Sequence, residues 1–169
     1  MGKKDEADRF VADWMKAHPK DLGTRSRLGE MALRQGDFDK ASRLLSEAHA
    51  IDASNVRTLS LLVQTEAARG NKDFVPAAVK AASWNPTDPM VHAALARLLL
   101  LNGRTQEAIP PMRRAVALSG GHPEMRLELA KILLAADMRK DAKVELDALA
   151  ARGPAMPRAS EVAALRRQL

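Results

Sequence analysis

The sequence predicts an all-α fold: a right-handed superhelical array of antiparallel helix hairpins, an α-solenoid, with about four repeats and terminal cap helices. The main observation is a repeat spacing, because four turn residues follow one another at intervals of 34, 33 and 34 positions. Composition agrees, since 46% of the residues are apolar but only 3% are aromatic. A core built from Ala and Leu suits thin helix pairs better than one globular centre. The turn residues are Gly36, Gly70, Gly103 and Asp137.

Each turn lies in the same local pattern. A leucine stands eight positions before the turn and a small residue seven positions before it. An alanine stands five positions after the turn. In the second copy, Val replaces both the small residue and the alanine. The small residue lets the two helices of a hairpin approach closely. The turn residue ends the first helix in a left-handed conformation, which Gly adopts freely and Asp tolerates. The copies are Leu28-Gly29 with Ala41, Leu62-Val63 with Val75, Leu95-Ala96 with Ala108, and Leu129-Ala130 with Ala142.

This pattern resembles the tetratricopeptide repeat (TPR), whose consensus has Leu-Gly in the first helix, Ala in the second and Pro after it. The resemblance covers about residues 22 to 155. The chain departs from the consensus because Leu45, Met112 and Leu146 stand where Phe is usual, and the second repeat is shortened. The resemblance implies a curved array whose first helices line a concave groove that binds other protein chains.

We expect residues 1–169 to form a single array. Repeats are predicted at 22–55, 56–88, 89–122 and 123–156, followed by a C-terminal capping helix at 157–169. The segment 5–18 resembles a second helix that has lost its partner. Two interpretations of this segment stay open: an N-terminal cap, or the start of an excerpt from a longer array behind an expression leader. We favour the excerpt.

Charge and composition argue against nucleic-acid binding and against a membrane-spanning segment. The net charge is +6, but acidic side chains are interspersed with the basic ones, and aromatic residues that could stack on single strands are scarce. No nucleic-acid partner is therefore expected. A nucleic-acid-binding helical repeat stays open as an alternative, because Lys and Arg alone can follow a phosphate backbone. The most apolar stretch, residues 98–101, is far shorter than a membrane span.

The sequence offers no pattern typical of catalysis or metal binding. The absence of Cys removes thiol nucleophiles and thiolate metal sites. The four histidines, at positions 18, 49, 92 and 122, show no metal-ligand spacing, and no Gly-rich phosphate loop or nucleophile elbow occurs. We expect no catalytic residues, no cofactor, no metal site and no enzymatic activity.

The candidate site is the groove side of the first helices. The residue after each Leu-small pair points away from the second helix, and neighbours at helical spacing extend that face. Its first half is small and polar, whereas its second half is apolar with two cations and suits an amphipathic helix with acidic edges. The two-Lys, two-Asn clamp of carboxylate-binding TPR co-chaperones is not reproduced. The predicted groove residues are Glu30, Arg34, Gln64, Arg97, Leu100, Leu101, Leu127, Lys131 and Leu134.

A narrower resemblance concerns residues 14–21, WMKAHPKD. They are similar to the W-x-K-x-H-P-x-D junctions of bacterial TPR proteins linked to exopolysaccharide export and exosortase sorting, and the segment from Val144 to the C-terminal Ala-Leu-Arg helix is similar to their C-termini. This resemblance implies the C-terminal end of a longer exported or lipid-anchored scaffold, in the periplasm or envelope. As a full chain, with no secretory signal, the protein would be cytoplasmic.

The function predicted from these observations is a non-enzymatic adaptor or scaffold that binds a peptide or helix of another protein in the concave groove. The partner would be a protein, in a bacterial envelope or exopolysaccharide export assembly if the narrower resemblance applies. A chaperone-like module that shields an apolar segment of a secreted client would use the same groove, and stays open as an alternative.

Two adjacent prolines lie inside the predicted second helix of the third repeat, beyond an expected cap at Thr105. Pro110 and Pro111 cannot donate to the carbonyl oxygens of Gln106 and Glu107, and each ring crowds that carbonyl. We expect either a kink, or a separate tight turn over residues 106–109 with the regular helix starting near Pro110.

Overall fold

A computed structural model describes residues 2–153, 155 and 157–169, and these residues form ten α-helices, one short 3-10 helix and no strand. The predicted all-helical fold is therefore confirmed. The 3-10 helix, Lys72–Phe74, lies directly before α5. The α-helices are α1 (Lys3–Ala17), α2 (Leu22–Arg34), α3 (Phe38–Ile51), α4 (Val56–Arg69), α5 (Val75–Trp84), α6 (Pro89–Leu101), α7 (Thr105–Leu118), α8 (Pro123–Ala135), α9 (Arg139–Ala150) and α10 (Ala159–Arg166).

The helices from α2 onward pair as consecutive hairpins. α2 packs on α3, α4 on α5, α6 on α7 and α8 on α9, and each hairpin also packs on the next one. α10 packs on α9 at the C-terminal end. This arrangement is an α-solenoid of helical hairpins, in which every repeat contacts only its neighbours.

The four hairpin turns lie where the spacing predicts them. Gly36, Gly70 and Gly103 have φ angles of +76°, +74° and +72°, and Asp137 has a φ of +55°. In each turn the residue after the left-handed one donates its N–H across the helix end, for example Asp37 to the Ala32 carbonyl. The Asp137 turn has the same bond, from Met138 to the Leu133 carbonyl at 2.8 Å. Asp therefore replaces Gly there without loss of the helix-ending hydrogen bonds.

Gly29 shows why a small residue precedes the first turn. A Cβ atom at this position would lie 2.6 Å from Cγ of Leu45, which is fully buried on α3. The close approach of α2 and α3 therefore depends on the missing side chain.

The core is continuous along the array rather than centred in it. One cluster of buried side chains joins α4, α5 and α6, and a second joins α6, α7, α8 and α9, so α6 belongs to both. Small and aliphatic side chains fill both clusters, as the composition predicts. Members of the second cluster include Ala93, Ala96, Ala108, Met112, Leu129 and Leu133.

The junction at residues 14–21 joins α1 to α2. The Trp14 indole stacks on His18 with ring centroids 3.8 Å apart, and its Nε1 donates to the Asp21 carboxylate at 2.8 Å. Asp21 also caps α2 by accepting from the backbone N–H of Thr24 at 3.0 Å. Hydrogen bonds from Thr24, then Trp14, hold the pKa of Asp21 well below its usual range. Along α1 itself, the side chain of Phe10 stays 69% exposed.

The region of the two prolines differs from the sequence prediction. α7 is one helix from Thr105 to Leu118 and contains both Pro110 and Pro111, so the predicted separate turn over residues 106–109 is wrong. The residue before the helix is Arg104, and no side chain caps the first turn, so the expected Thr105 cap is also wrong. Pro110 is exposed, which places its ring away from the tightly packed core. A bend at this point stays a prediction.

Candidate protein-interaction surface

The first helices of successive hairpins form a row that hydrogen bonds and ion pairs join side by side. Ser26 on α2 lies 2.9 Å from Thr58 on α4, oxygen to oxygen. Between α4 and α6 the contact is apolar, through the core cluster that they share. Arg97 on α6 pairs with Glu128 on α8. We call the exposed and half-buried side of α2, α4, α6 and α8, which includes Glu30, Gln64, Arg97 and Leu101, the first-helix surface.

Glu30 is held by two arginines at the polar end of this surface. Its carboxylate accepts from Arg34 one turn along α2 and from Arg57 on α4, both at 2.7 Å. The hydrogen bond from Arg57 is the main reason that the pKa of Glu30 lies below its ordinary value. The carboxylate of Glu30 therefore joins two first helices, while the guanidinium of Arg34 stays largely exposed.

Two open cavities lie on the polar half, on either side of Arg57. The smaller, of about 290 Å³, has Ser26, Glu30 and Thr58 in its wall. The larger, of about 440 Å³, is lined by Ser60, Gln64, Asn85 and other residues between α4 and the start of α6. Within the described residues, the buried Ser60 hydroxyl has no hydrogen-bond partner. The half-buried side-chain amide of Gln64 borders this cavity, whereas the Ser60 hydroxyl is buried.

The two cations predicted for the apolar half are both paired within the chain. Arg97 donates to the two carboxylate oxygens of Glu128 through Nε at 2.9 Å and Nη2 at 2.6 Å. Nζ of Lys131 lies 2.5 Å from the Glu161 carboxylate on α10. A ligand anion would therefore have to compete with an internal carboxylate at each cation.

The predicted leucines separate into exposed and buried ones. Leu100 and Leu101 are 38% and 40% exposed and lie one turn beyond Arg97. Leu134 is half-buried against the neighbouring core. Leu127 is only 2% exposed, because it packs with Leu146, Leu149 and Val162 under α10. The prediction that Leu127 lines the groove is wrong for this reason.

The sequence analysis missed the partners that connect one first helix to the next: Arg57, Glu128 and Glu161. For Glu128 and Glu161, a signal was present in the distance along the sequence to their partners. Glu128 follows Arg97 by 31 positions, and Glu161 follows Lys131 by 30. Each distance equals the length of one repeat minus about one helical turn. Opposite charges at that spacing are adjacent on successive first helices.

A second polar cluster lies at the edge of the first two hairpins, where their turns meet. The Glu66 side chain is only 2% exposed, and it accepts from Ser42 at 2.5 Å, Asn71 at 2.7 Å and Arg69 at 3.1 Å. Burial opposes its ionisation, but these hydrogen bonds outweigh burial and lower the pKa of Glu66. The network fastens the turn after α4 to α3, beside an open cavity of about 510 Å³ bordered by Asp37, Asp39 and Arg69.

The described residues contain no group of three or more His, Asp or Glu side chains placed to hold a metal ion. No helix among them combines the length and the hydropathy needed to cross a bilayer.

The hairpin array and its row of first helices define a helical-repeat protein. Three family profiles, each described as tetratricopeptide repeat, match residues 22–47, 77–109 and 99–169. Together they cover more than half of the chain, which belongs to the tetratricopeptide repeat proteins. Repeats of this class form extended surfaces for protein interaction. Comparison with curated proteins finds no match.

Solved structures of MamA have the same fold. MamA from residue 41 onward of Desulfovibrio magneticus RS-1 is 15% identical, with a TM-score of 0.75 over 99% of this chain and 88% of that one. MamA of AMB-1 is 24% identical, with a TM-score of 0.64 over 75% of each chain. A further MamA structure is 17% identical, with a TM-score of 0.75 over 86% of this chain and 80% of that one. At these identities the likeness establishes the fold alone.

Proposed function

We propose that this protein is a non-enzymatic adaptor that binds a helix or peptide of another protein along the first-helix surface, on the concave side of the array. The single observation that carries the proposal is the exposed leucine pair at the end of α6. Leu100 and Leu101 remain about two-fifths exposed, whereas many other leucines of this array are buried in its core. Large exposed apolar patches that polar residues surround mark protein contacts, and we infer that this leucine pair is the centre of such a patch.

The expected ligand is an amphipathic helix that places its apolar stripe on these leucines and polar groups towards the α4–α6 cavity. The Arg97–Glu128 pair beside the leucines presents both a positive and a negative charge, so acidic edges of the ligand helix alone do not determine its affinity. The half-buried side chain of Gln64 can hydrogen-bond polar groups of the ligand at this cavity. A chaperone-like role would use the same leucines, with a transient apolar client.

Selection of helical peptides from a displayed library tests the proposal. The selected peptides are measured against the chain and two variants, Leu101→Asp and Val144→Asp. Val144 is the matched control because it is 64% exposed on the second helix α9. We expect Leu101→Asp to weaken binding by about tenfold or more and Val144→Asp to leave it unchanged. Equal affinity of both variants would reject the first-helix surface as the binding site.

A further inference from the structure

α10 occupies the place that the first helix of a further hairpin would take. It covers Leu127 on α8 and Leu146 and Leu149 on α9 with a single fully buried side chain, Val162. The first helices α2, α4, α6 and α8 have 13 or 14 residues, whereas α10 has eight. Among the described residues, α10 therefore covers less of this surface than a first helix of 13 or 14 residues would.

Beyond these apolar contacts, to which the half-buried Leu165 also contributes, α10 is attached by partly exposed ion pairs. Glu161 pairs with Lys131, and Arg166 pairs with Asp147 at 2.8 Å. Arg158, just before the helix, pairs with Glu124 at 2.8 Å. All these side chains are between about a third and a half exposed, so salt screens them and each contributes little.

The start of α10 adds no stability of its own. Arg158 precedes the helix with a φ of +64°, a conformation that costs a non-Gly residue energy, and no side chain caps the first turn. A helix of eight residues does not form by itself in water, so α10 is helical only while it is docked.

We propose that a partner protein can displace α10 from the surface beneath it on α8 and α9. The partner binds there through an amphipathic helix that has the same pattern of side chains as α10. The partner helix carries an acidic residue, a branched aliphatic residue directly after it and a leucine three positions further on. In α10 these are Glu161, Val162 and Leu165. A longer helix of this kind covers more of the surface than α10 does and takes its place. The proposal does not rest on ligand binding at Leu100 and Leu101.

The test uses the full chain and a fluorescent synthetic peptide of residues 157–169 as the probe. Val162→Asp would place an unpaired carboxylate against buried leucines and release α10. We expect the peptide to bind this variant about tenfold or more tightly than the unaltered chain, by fluorescence anisotropy, because the intramolecular competitor is gone. Ser160→Asp is the matched control: it makes the same change on an exposed position of α10 and should behave like the unaltered chain.

Charge reversal identifies the site. In the Val162→Asp chain, Lys131→Glu should weaken peptide binding, and a peptide carrying Glu161→Lys should restore it. Equal peptide binding by the Val162→Asp and unaltered chains, or indifference to Lys131→Glu, would overturn the proposal.

A measurement on the unaltered chain keeps the proposal testable if Val162→Asp unfolds the array. Amide hydrogen exchange should be faster in α10 than in α9, and raising NaCl to about 1 M should accelerate it in α10 specifically. Protection of α10 equal to that of α9 at both salt concentrations would overturn the proposal.

Discussion

Arg97 on α6 and Glu128 on α8 form an ion pair through two parallel hydrogen bonds, of 2.9 and 2.6 Å, that joins consecutive first helices. Arg97 is therefore already paired with a carboxylate of the array in the absence of a ligand. Reversing the charge of Arg97 or Lys131 therefore disturbs helix contacts as well as ligand binding, and neither substitution alone is a clean test of the groove.

The first prediction concerns this pair. Arg97→Glu should destabilise the chain by about 1 kcal/mol, because two carboxylates then face each other on a half-exposed surface. The double variant Arg97→Glu, Glu128→Arg should recover most of that loss. Urea unfolding of the four chains of the double-mutant cycle measures the coupling. Additive effects of the two single changes would contradict the ion pair.

The second prediction concerns the close approach of α2 and α3. Gly29→Ala should destabilise the chain by roughly 1–3 kcal/mol, because the new methyl group overlaps the buried Leu45 side chain. Gly23→Ala in the same helix is the matched control, since its new Cβ meets only Oδ1 of Asp21, at 3.4 Å. This control should be neutral or stabilising by up to about 1 kcal/mol. Thermal unfolding compares them, and equal melting temperatures would disprove the steric argument.

The sequence predicts some features of this fold and misses others. The turns at Gly36, Gly70, Gly103 and Asp137 were predictable because helix-ending chemistry is local and recurs with the repeat. The pairing of Arg97 with Glu128 was not predicted, because their spacing of 31 positions identifies a pair only once the shift between successive first helices is known. The burial of Leu127 was missed for a related reason, since it is produced by α10 rather than by the repeat itself. The continuous α7 shows that two adjacent prolines within a helix do not by themselves divide it into two elements.

The third prediction concerns pH. The folded state lowers the pKa of Glu66, so its ionised form contributes stability above the ordinary glutamate pKa, and this contribution is lost as pH falls through the lowered value. Glu66→Gln should therefore destabilise the chain by roughly 1–3 kcal/mol at neutral pH, with a smaller difference in acid.

Glu107→Gln is the control for this prediction, because Glu107 is mostly exposed and pairs with Arg104 within the same hairpin. Because solvent screens this exposed pair, Glu107→Gln should leave the unfolding midpoint nearly unchanged. Urea unfolding between about pH 3 and pH 7 measures both variants. A Glu66→Gln effect that stays constant over this range would contradict the assigned role of the carboxylate.

The fourth prediction separates protein binding from nucleic-acid binding. Because Arg57, Arg97 and Lys131 are paired with carboxylates, few free cations face outward along the first helices. We expect only weak affinity for a generic DNA duplex or single strand at about 0.15 M salt. Fluorescence anisotropy measures it. Submicromolar binding with a steep salt dependence would instead favour the nucleic-acid alternative.

The central claim is that a partner helix binds to the first helices, and mapping a selected peptide by NMR tests it most directly. The backbone amides of the isotope-labelled chain are followed while unlabelled peptide is added. We predict that the largest shift changes occur on α6 around Leu100 and Leu101 and on the adjoining faces of α4 and α8. Shift changes concentrated on the second helices α3, α5, α7 and α9 would contradict the claim.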